Sequence, residues 1–252
     1  MIKQRQEELI SLISKNKQVM IKDLIKNYNF SQATLHRDLD SLEREGKITK
    51  VYGRVTLKEV KDLFGLRINK NMTLKKEIAL KAINFIKEGD CLFFDNSSTT
   101  YYLAKELAKS DIKNILLITN SNSITNLFLD NRKIEFILLG GFLNKELNCF
   151  TGPHTKSNLA DFNADKFFFS ARSISTEEAM VTDLFNPDLM EITKEMKKRS
   201  KESFLLIDST KFDSVSPLKW FDLSEINCII TDSNIHANYV DFLKKINIEL
   251  IT

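Results

Sequence analysis

Seven short apolar runs punctuate this 252-residue chain from residue 91 onward: Cys91–Phe94, Ile115–Ile118, Ile134–Leu139, Phe167–Phe169, Phe204–Ile207, Cys228–Ile230 and Ile248–Ile251. Each is too short to be a helix and is apolar along nearly its whole length, so it reads as a strand covered on both faces. Helical patterns lie between several of them, at 73–88, 100–109, 122–130, 188–202 and 236–245. Such alternation predicts an α/β fold with a mainly parallel sheet over residues 72–252.

Polar residues follow the strands. Asp95-Asn96-Ser97-Ser98-Thr99-Thr100 comes after the first, Thr119-Asn120-Ser121 after the second and Gly140-Gly141 after the third. Ser170, Asp208-Ser209-Thr210-Lys211 and Thr231-Asp232 come after the next three. In an open parallel sheet these carboxyl ends form the ligand crevice, so hydroxyls, an amide, carboxylates and a lysine should converge on one edge. That set suits a small polyhydroxylated anion. Ser97 to Thr100 leads into a helix, where backbone N–H groups and the dipole favour phosphate, and Lys211 adds a point charge. The expected ligand residues are Asp95, Ser97, Ser98, Thr99, Thr100, Asn120, Gly140, Gly141, Asp208 and Lys211.

The first 57 residues have another character. Leu9, Ile10, Leu12 and Ile13 make one apolar stripe at helical spacing, and Ile21, Leu24 and Ile25 make a second. A break at Asn27-Tyr28-Asn29-Phe30 reads as a turn, and Ser31 as the N-cap of a third helix. In that helix Ala33, Leu35, Leu39 and Leu42 are expected to face the core. Ser31, Gln32, Thr34, His36 and Arg37 are left outside as groove-reading side chains. Gly46 reads as the helix end, and Lys47 to Leu57, turning at Gly53, as a basic hairpin carrying Lys47, Lys50 and Arg54. This is helix-turn-helix order with a wing. The stretch 58–71 reads as a linker.

Charge agrees with a DNA partner. Residues 1–58 hold 12 Lys or Arg against 7 Asp or Glu, a net +5 in a chain of net +3, which leaves −2 for the rest. A basic reader on a near-neutral body is the electrostatic footprint of nucleic-acid binding. A membrane role is not expected, since no apolar run approaches a span and no signal segment is read, and the chain is expected in the cytoplasm. Cys91, Cys149 and Cys228 are scattered, as are His36, His154 and His236, so neither disulfide, metal site nor cofactor is expected.

Taken together, the two halves resemble the DeoR family of bacterial transcriptional regulators over nearly the whole chain. In the first half the matching residues are Ser31, Thr34, Arg37-Asp38-Leu39, Leu42, Glu43, Gly46 and Gly53, read against the pattern Ser-x-x-Thr-Ile-Arg-Arg-Asp-Leu. In the second they are Asp95, Ser98-Thr99-Thr100, Thr119-Asn120-Ser121, Gly140-Gly141, Gly152, Asp208 to Phe212 and Ile230-Thr231-Asp232. The resemblance implies an N-terminal winged helix-turn-helix followed by a sensor domain similar in fold to ribose-5-phosphate isomerase. It also implies control of a sugar uptake or catabolic operon by a phosphorylated sugar.

The sequence departs from the family pattern at His36, where an arginine is usual, and at Arg54, Ser97, Ser173 and Met180, where glycine is usual. His36 is expected to change the preferred sequence or to make DNA binding pH-sensitive. The reading is a DNA-binding regulator that is not an enzyme, expected to be a repressor. It is expected to act as a homodimer or homotetramer on double-stranded operator DNA. Two alternatives stand beside it: a sugar-phosphate isomerase-like enzyme with an attached DNA-binding domain, and a constitutive regulator with a decayed effector pocket.

Overall fold

The computed structural model describes residues 2–16, 18–27, 31–45, 47–51, 53–57, 64–183, 186–214 and 216–252. The expected turn at 28–30, the helix end at Gly46, the wing residue Tyr52 and linker residues 58–63 lie outside these. The chain divides into two compact units, Met1–Leu63 and Phe64–Thr252.

The first unit contains α1 (Ile2–Asn16), β1 (Gln18–Met20), α2 (Ile21–Asn27), α3 (Gln32–Arg44), β2 (Ile48–Val51) and β3 (Arg54–Leu57). Leu9 and Ile13 of α1, Leu24 of α2 and Leu35, Leu39 and Leu42 of α3 meet in one buried cluster with Ile48 and Val55 of the hairpin. The strands run antiparallel in the order β1-β3-β2. Strand β1 has no counterpart in the sequence reading, because three residues between two helices carry no detectable alternation.

The second unit opens with α4 (Phe64–Asn69) and α5 (Met72–Ala82), then β4 (Cys91–Phe94), α6 (Ser98–Lys109), β5 (Ile115–Thr119) and α7 (Asn122–Thr125). Next come β6 (Ile134–Leu138), β7 (Phe142–Asn144), β8 (Cys149–Thr151), α8 (Pro153–Leu159), β9 (Ala164–Phe169), β10 (Ser173–Ser175) and β11 (Met180–Asp183). The unit closes with α9 (Pro187–Lys198), β12 (Ser200–Leu206), β13 (Leu218–Asp222), β14 (Cys228–Ile230), α10 (Ala237–Lys245) and β15 (Glu249–Ile251). All seven expected strands are present and form one sheet, ordered β15-β14-β12-β9-β4-β5-β6, in which every neighbouring pair is parallel.

Alternation along these strands builds two cores. Phe93, Phe167, Phe169, Leu205 and Ile229 point to one face, under α8, α9, α10 and a small antiparallel sheet β10-β11-β13. Leu92, Phe94, Phe168, Phe204, Leu206 and Ile230 point to the other, under α5 and α6. The run Phe167–Phe169 is core: Phe167 stacks on Phe169 and Phe168 on Phe204, each with ring centroids 4.8 Å apart. Each such buried ring contributes on the order of 2–3 kcal/mol.

Four boundaries differ from the sequence reading. The helix expected over 73–88 ends as an α-helix at Ala82, where Ile83–Phe85 tighten into a 3-10 turn before the chain extends at Ile86. The helix expected over 188–202 stops at Lys198, because Ser200–Leu206 is already strand, with a solvated polar start at the sheet rim. The helix expected over 122–130 keeps one turn. Beyond Thr125 the backbone makes short bonds, Leu127 N–H to Ile124 O and Phe128 N–H to Thr125 O, that do not propagate an α-helix. The second half of the expected linker is α4. It belongs to the second unit by packing, with the Phe64 ring edge-on to Tyr101 at 5.7 Å and the Tyr102 hydroxyl donating to Ile68 O at 3.2 Å.

Candidate functional site

Ser31 begins α3 in extended conformation (φ −61°, ψ 151°), and its Oγ accepts the Thr34 N–H at 3.3 Å and lies 2.9 Å from Thr34 Oγ1. Leu35, Leu39 and Leu42 are buried; Gln32, His36 and Arg37 are exposed, and Thr34 is half-buried. Ala33 is exposed, a correction to its expected core role: two residues before Leu35, it falls on the opposite side of a helix with 3.6 residues per turn. Asp38 takes the place in the core instead. The Arg5 guanidinium grips its carboxylate with both Nε and Nη2, the latter at 2.8 Å.

The wing carries its cations unequally. Lys47 and Arg54 are exposed, Lys47 beside Glu45 at 2.6 Å. Lys50 folds back onto α3, where its ammonium meets Asp40 and, at 2.9 Å, Glu43. The hydrogen bond it donates to Asp40, then that to Glu43, holds the Lys50 ammonium above its ordinary range. Gly53 (φ 74°) is left-handed at the turn, and Arg54 sits in regular strand, so the glycine usual at that position is not required.

In the second unit, consecutive strands β4, β5 and β6 extend one way from the centre while β9, β12, β14 and β15 extend the other. The order therefore reverses between β4 and β9, and this is where loops diverge to leave a crevice. Asp95, leaving β4, bridges the gap: its Oδ2 accepts the Ser170 N–H at 3.0 Å and its Oδ1 the Ser97 N–H at 3.0 Å. Ser97 caps α6 at φ −74°, accepting the Thr100 N–H at 3.1 Å. An extended cap needs no glycine, so the departure at Ser97 leaves the loop geometry intact. Ser173 and Met180 likewise lie in strands without left-handed backbone.

Lys211 arrives from the loop after β12. Its ammonium donates to Ala171 O at 2.9 Å and to Ser170 Oγ at 3.3 Å, and lies 3.7 Å from Asp208 Oδ2. Thr99 Oγ1 donates to Ser170 Oγ at 3.4 Å. The crevice thus brings together Asp95, Ser97, Ser98, Thr99, Thr100, Ser170, Asp208 and Lys211. Burial pushes the Asp95 carboxyl up and the Lys211 ammonium down. Burial would also raise Asp208, but the Lys211 charge and hydrogen bonds from Thr210 and Asn71 carry it below its ordinary range. Among the described residues Asp208 Oδ2, fully buried, has no hydrogen-bond partner, so an acceptor stands open beside a cation.

Asn120, Gly140 and Gly141 lie on the β5–β6 flank, where their groups are used internally. Asn120 Nδ2 donates to Phe150 O at 2.9 Å and its carbonyl accepts from Phe150 N–H at 2.8 Å, which pins β8. Gly140 O accepts from Asn158 at 3.5 Å, and Gly141 (φ 153°) packs so closely that a Cβ would stand 2.1 Å from Thr155 Oγ1. A groove of about 490 Å³ lies between α8 and α9, but Asp188, Glu191 and Glu195 line it against Lys156 alone, a poor setting for an anion.

Two groups at the crevice have no place in the sequence reading. Asn71, between α4 and α5, donates from Nδ2 to Asp208 Oδ1 at 3.1 Å and to Thr210 Oγ1 at 3.0 Å. Lys75, buried in the first turn of α5, also acts on Asp208 through its charge. An asparagine between two short helices is an available signal for a left-handed corner, yet nothing in the sequence pairs it with a residue 137 positions away.

With this geometry in place, the comparisons with known proteins are specific. Residues 5–61 match the DeoR-like helix-turn-helix domain and residues 70–233 the DeoR C terminal sensor domain. The chain is 31% identical over 234 residues to the L-fucose operon activator of Escherichia coli K12, covering 90% of this chain and 94% of that one. It is 31% identical over 243 residues to the lactose phosphotransferase system repressor of Lactococcus lactis, covering 95% and 94%. Among solved structures it is similar to ribose 5-phosphate isomerase A of Methanocaldococcus jannaschii, at 16% identity and a TM-score of 0.43 over 57% of this chain and 55% of that one.

Proposed function

This chain belongs to the DeoR family of DNA-binding transcriptional regulators, and on that footing we propose that it represses a sugar uptake or catabolic operon under the control of a phosphorylated sugar. The operator is read by Gln32, His36 and Arg37 of α3, with Ser31 and Thr34 at the helix start and Lys47 and Arg54 on the wing. Lys50, tied to Asp40 and Glu43, orders the wing against α3 rather than reaching a phosphate. The relatives' names support a sugar pathway, one as activator of a fucose operon and one as repressor of a lactose system.

A single observation carries the effector assignment. The Lys211 ammonium, the first turn of α6 and the open Asp208 Oδ2 stand together at the point where the strand order reverses. A phosphate suits the first two, a sugar hydroxyl the third. The crevice in this reading binds without turnover. Asn120, Gly140 and Gly141 shape its flank. The protein acts in the cytoplasm as a homodimer or homotetramer, which sets two reading helices on half-sites about one helical turn apart.

Gel-shift titration on DNA upstream of the operon next to the protein's own gene tests this, with and without ribose 5-phosphate, glucose 6-phosphate, fructose 6-phosphate and galactose 6-phosphate. Specific binding that one phosphate weakens at least tenfold is the expected result. Binding indifferent to every phosphate would favour the constitutive regulator.

A further inference from the structure

The end of α4 is held by buried groups from its neighbours. Lys75 of α5 donates its ammonium to Arg67 O and, at 2.7 Å, to Lys70 O, and the Tyr102 hydroxyl of α6 donates to Ile68 O. Lys75 is 4% exposed, so a cation has been drawn inward to satisfy carbonyls at a helix end. The first turn of α5 therefore fixes the last turn of α4.

That first turn is itself fastened to the ligand crevice. Asn71 caps α5 in left-handed conformation (φ 52°) and makes no side-chain bond to its own helix. Its amide instead crosses to Asp208 Oδ1 and Thr210 Oγ1, while the Thr210 hydroxyl also donates to Asp208 Oδ1. Glycine would adopt the same backbone with less strain. What asparagine adds at this corner is the amide donor, shared between the crevice carboxylate and the Thr210 hydroxyl that itself bonds that carboxylate.

Asp208 consequently has two sides. Oδ1 is taken by Asn71 and Thr210, which leaves Oδ2 as the acceptor facing Lys211. A hydroxyl donor arriving at Oδ2 competes for the same carboxylate charge and changes what Oδ1 offers to Asn71. Helix α4 is the first element after residues 58–63, the segment that joins the sensor unit to the DNA-reading unit. We propose that Asn71 is a positioning residue that couples engagement of Asp208 to the hold on α4, so that occupancy of the crevice is felt at the helix leading to the DNA-reading unit. The proposal rests on the reading of the crevice as the effector site.

Amide hydrogen exchange in residues 64–70 of the full-length protein tests the coupling without any sugar. Wild type, Asn71→Gly, Asp208→Ala and the double variant form a cycle, and Asn71→Gly keeps the left-handed corner. Each single change is expected to speed exchange in α4 about tenfold, the loss of one hydrogen bond to a charged group, with the double variant no faster than either. Thr210 is exposed, so Thr210→Val removes its hydroxyl without threatening the fold and should speed α4 exchange about threefold. Unchanged α4 exchange in Asp208→Ala and Thr210→Val, or effects of Asn71→Gly and Asp208→Ala that simply add, would overturn the coupling. Because no sugar phosphate enters this cycle, failure of the effector assignment shows separately, as a flat response of the wild type to the sugar phosphates.

Discussion

Arg5 of α1 and Asp38 of α3 form a two-pronged ion pair in the DNA-reading unit, with side chains 18% and 5% exposed. The pair ties the reading helix to the first helix. Removing one member takes this two-pronged contact from a charge that is largely withdrawn from water.

Asp38→Ala is therefore expected to destabilise the first unit by about 3 kcal/mol, and the double variant with Arg5→Ala by less than the sum of the two single changes. Hydrogen exchange of α3 amides in the full-length protein measures both. Additive losses would mean that the two side chains act independently.

Arg37 is exposed, and no described residue bonds to it. Arg37→Ala should leave thermal melting within about 0.5 kcal/mol of wild type while weakening operator binding roughly tenfold to a hundredfold, as loss of a base contact does. Equal affinity for the variant would place the reading surface elsewhere.

Adjacent glycines should behave differently. A Cβ on Gly141 would lie 2.1 Å from Thr155 Oγ1 and 2.9 Å from Thr151 O at φ 153°, whereas one on Gly140 meets nothing within 4 Å. Gly141→Ala should cost about 1–3 kcal/mol by overpacking, and Gly140→Ala less than about 0.5 kcal/mol. Urea melts of the two variants decide it; matched midpoints would show that the β6–β7 corner is not closely packed.

The crevice also predicts a pH dependence. Asp208 titrates below its ordinary 3.8 in the folded protein, because the Lys211 charge and the Thr210 and Asn71 hydrogen bonds outweigh its burial. A carboxyl lowered by folding contributes stability that is present above its unfolded pKa and lost as pH falls through its folded pKa. Asp208→Asn should thus melt below wild type at neutral pH, with the difference shrinking as pH falls from about 5 to about 2. Asp95, raised by burial, works in the opposite sense and remains in both proteins, so it cancels in the difference. A constant difference across this range would show that folding leaves the Asp208 carboxyl unshifted, and a difference that grows as pH falls would show it raised instead of lowered.

Much of this was legible in the chain. Strands buried on both faces leave unbroken apolar runs, so Cys91–Phe94 and Phe167–Phe169 declare themselves, and a parallel sheet then puts every following loop on one edge. The polar starts of β9 and β12, Asp165-Lys166 and Ser200-Lys201-Glu202, did not, because the sheet rim is solvated and such residues read equally well as loop or helix. The antiparallel sheet β10-β11-β13 hides behind buried hydroxyls: Ser173 pairs with Thr182 at 2.8 Å and Ser216 at 2.9 Å, a satisfied polar core that hydrophobic patterning passes over. The convergence of Asp95, Ser170 and Lys211 follows from strand order, which no local pattern encodes. Asn71 enters only through a contact across 137 residues.

The most direct test of the central claim is thermal melting of the full-length protein against ribose 5-phosphate, glucose 6-phosphate, fructose 6-phosphate and galactose 6-phosphate, in wild type and Lys211→Ala. A phosphate present at about 100 times its Kd should raise the wild-type melting temperature by roughly 5 °C or more through mass action, and the variant's far less. A rise equal in both proteins would remove Lys211 from the site, and no rise with any sugar phosphate would contradict an effector-binding crevice at the strand ends.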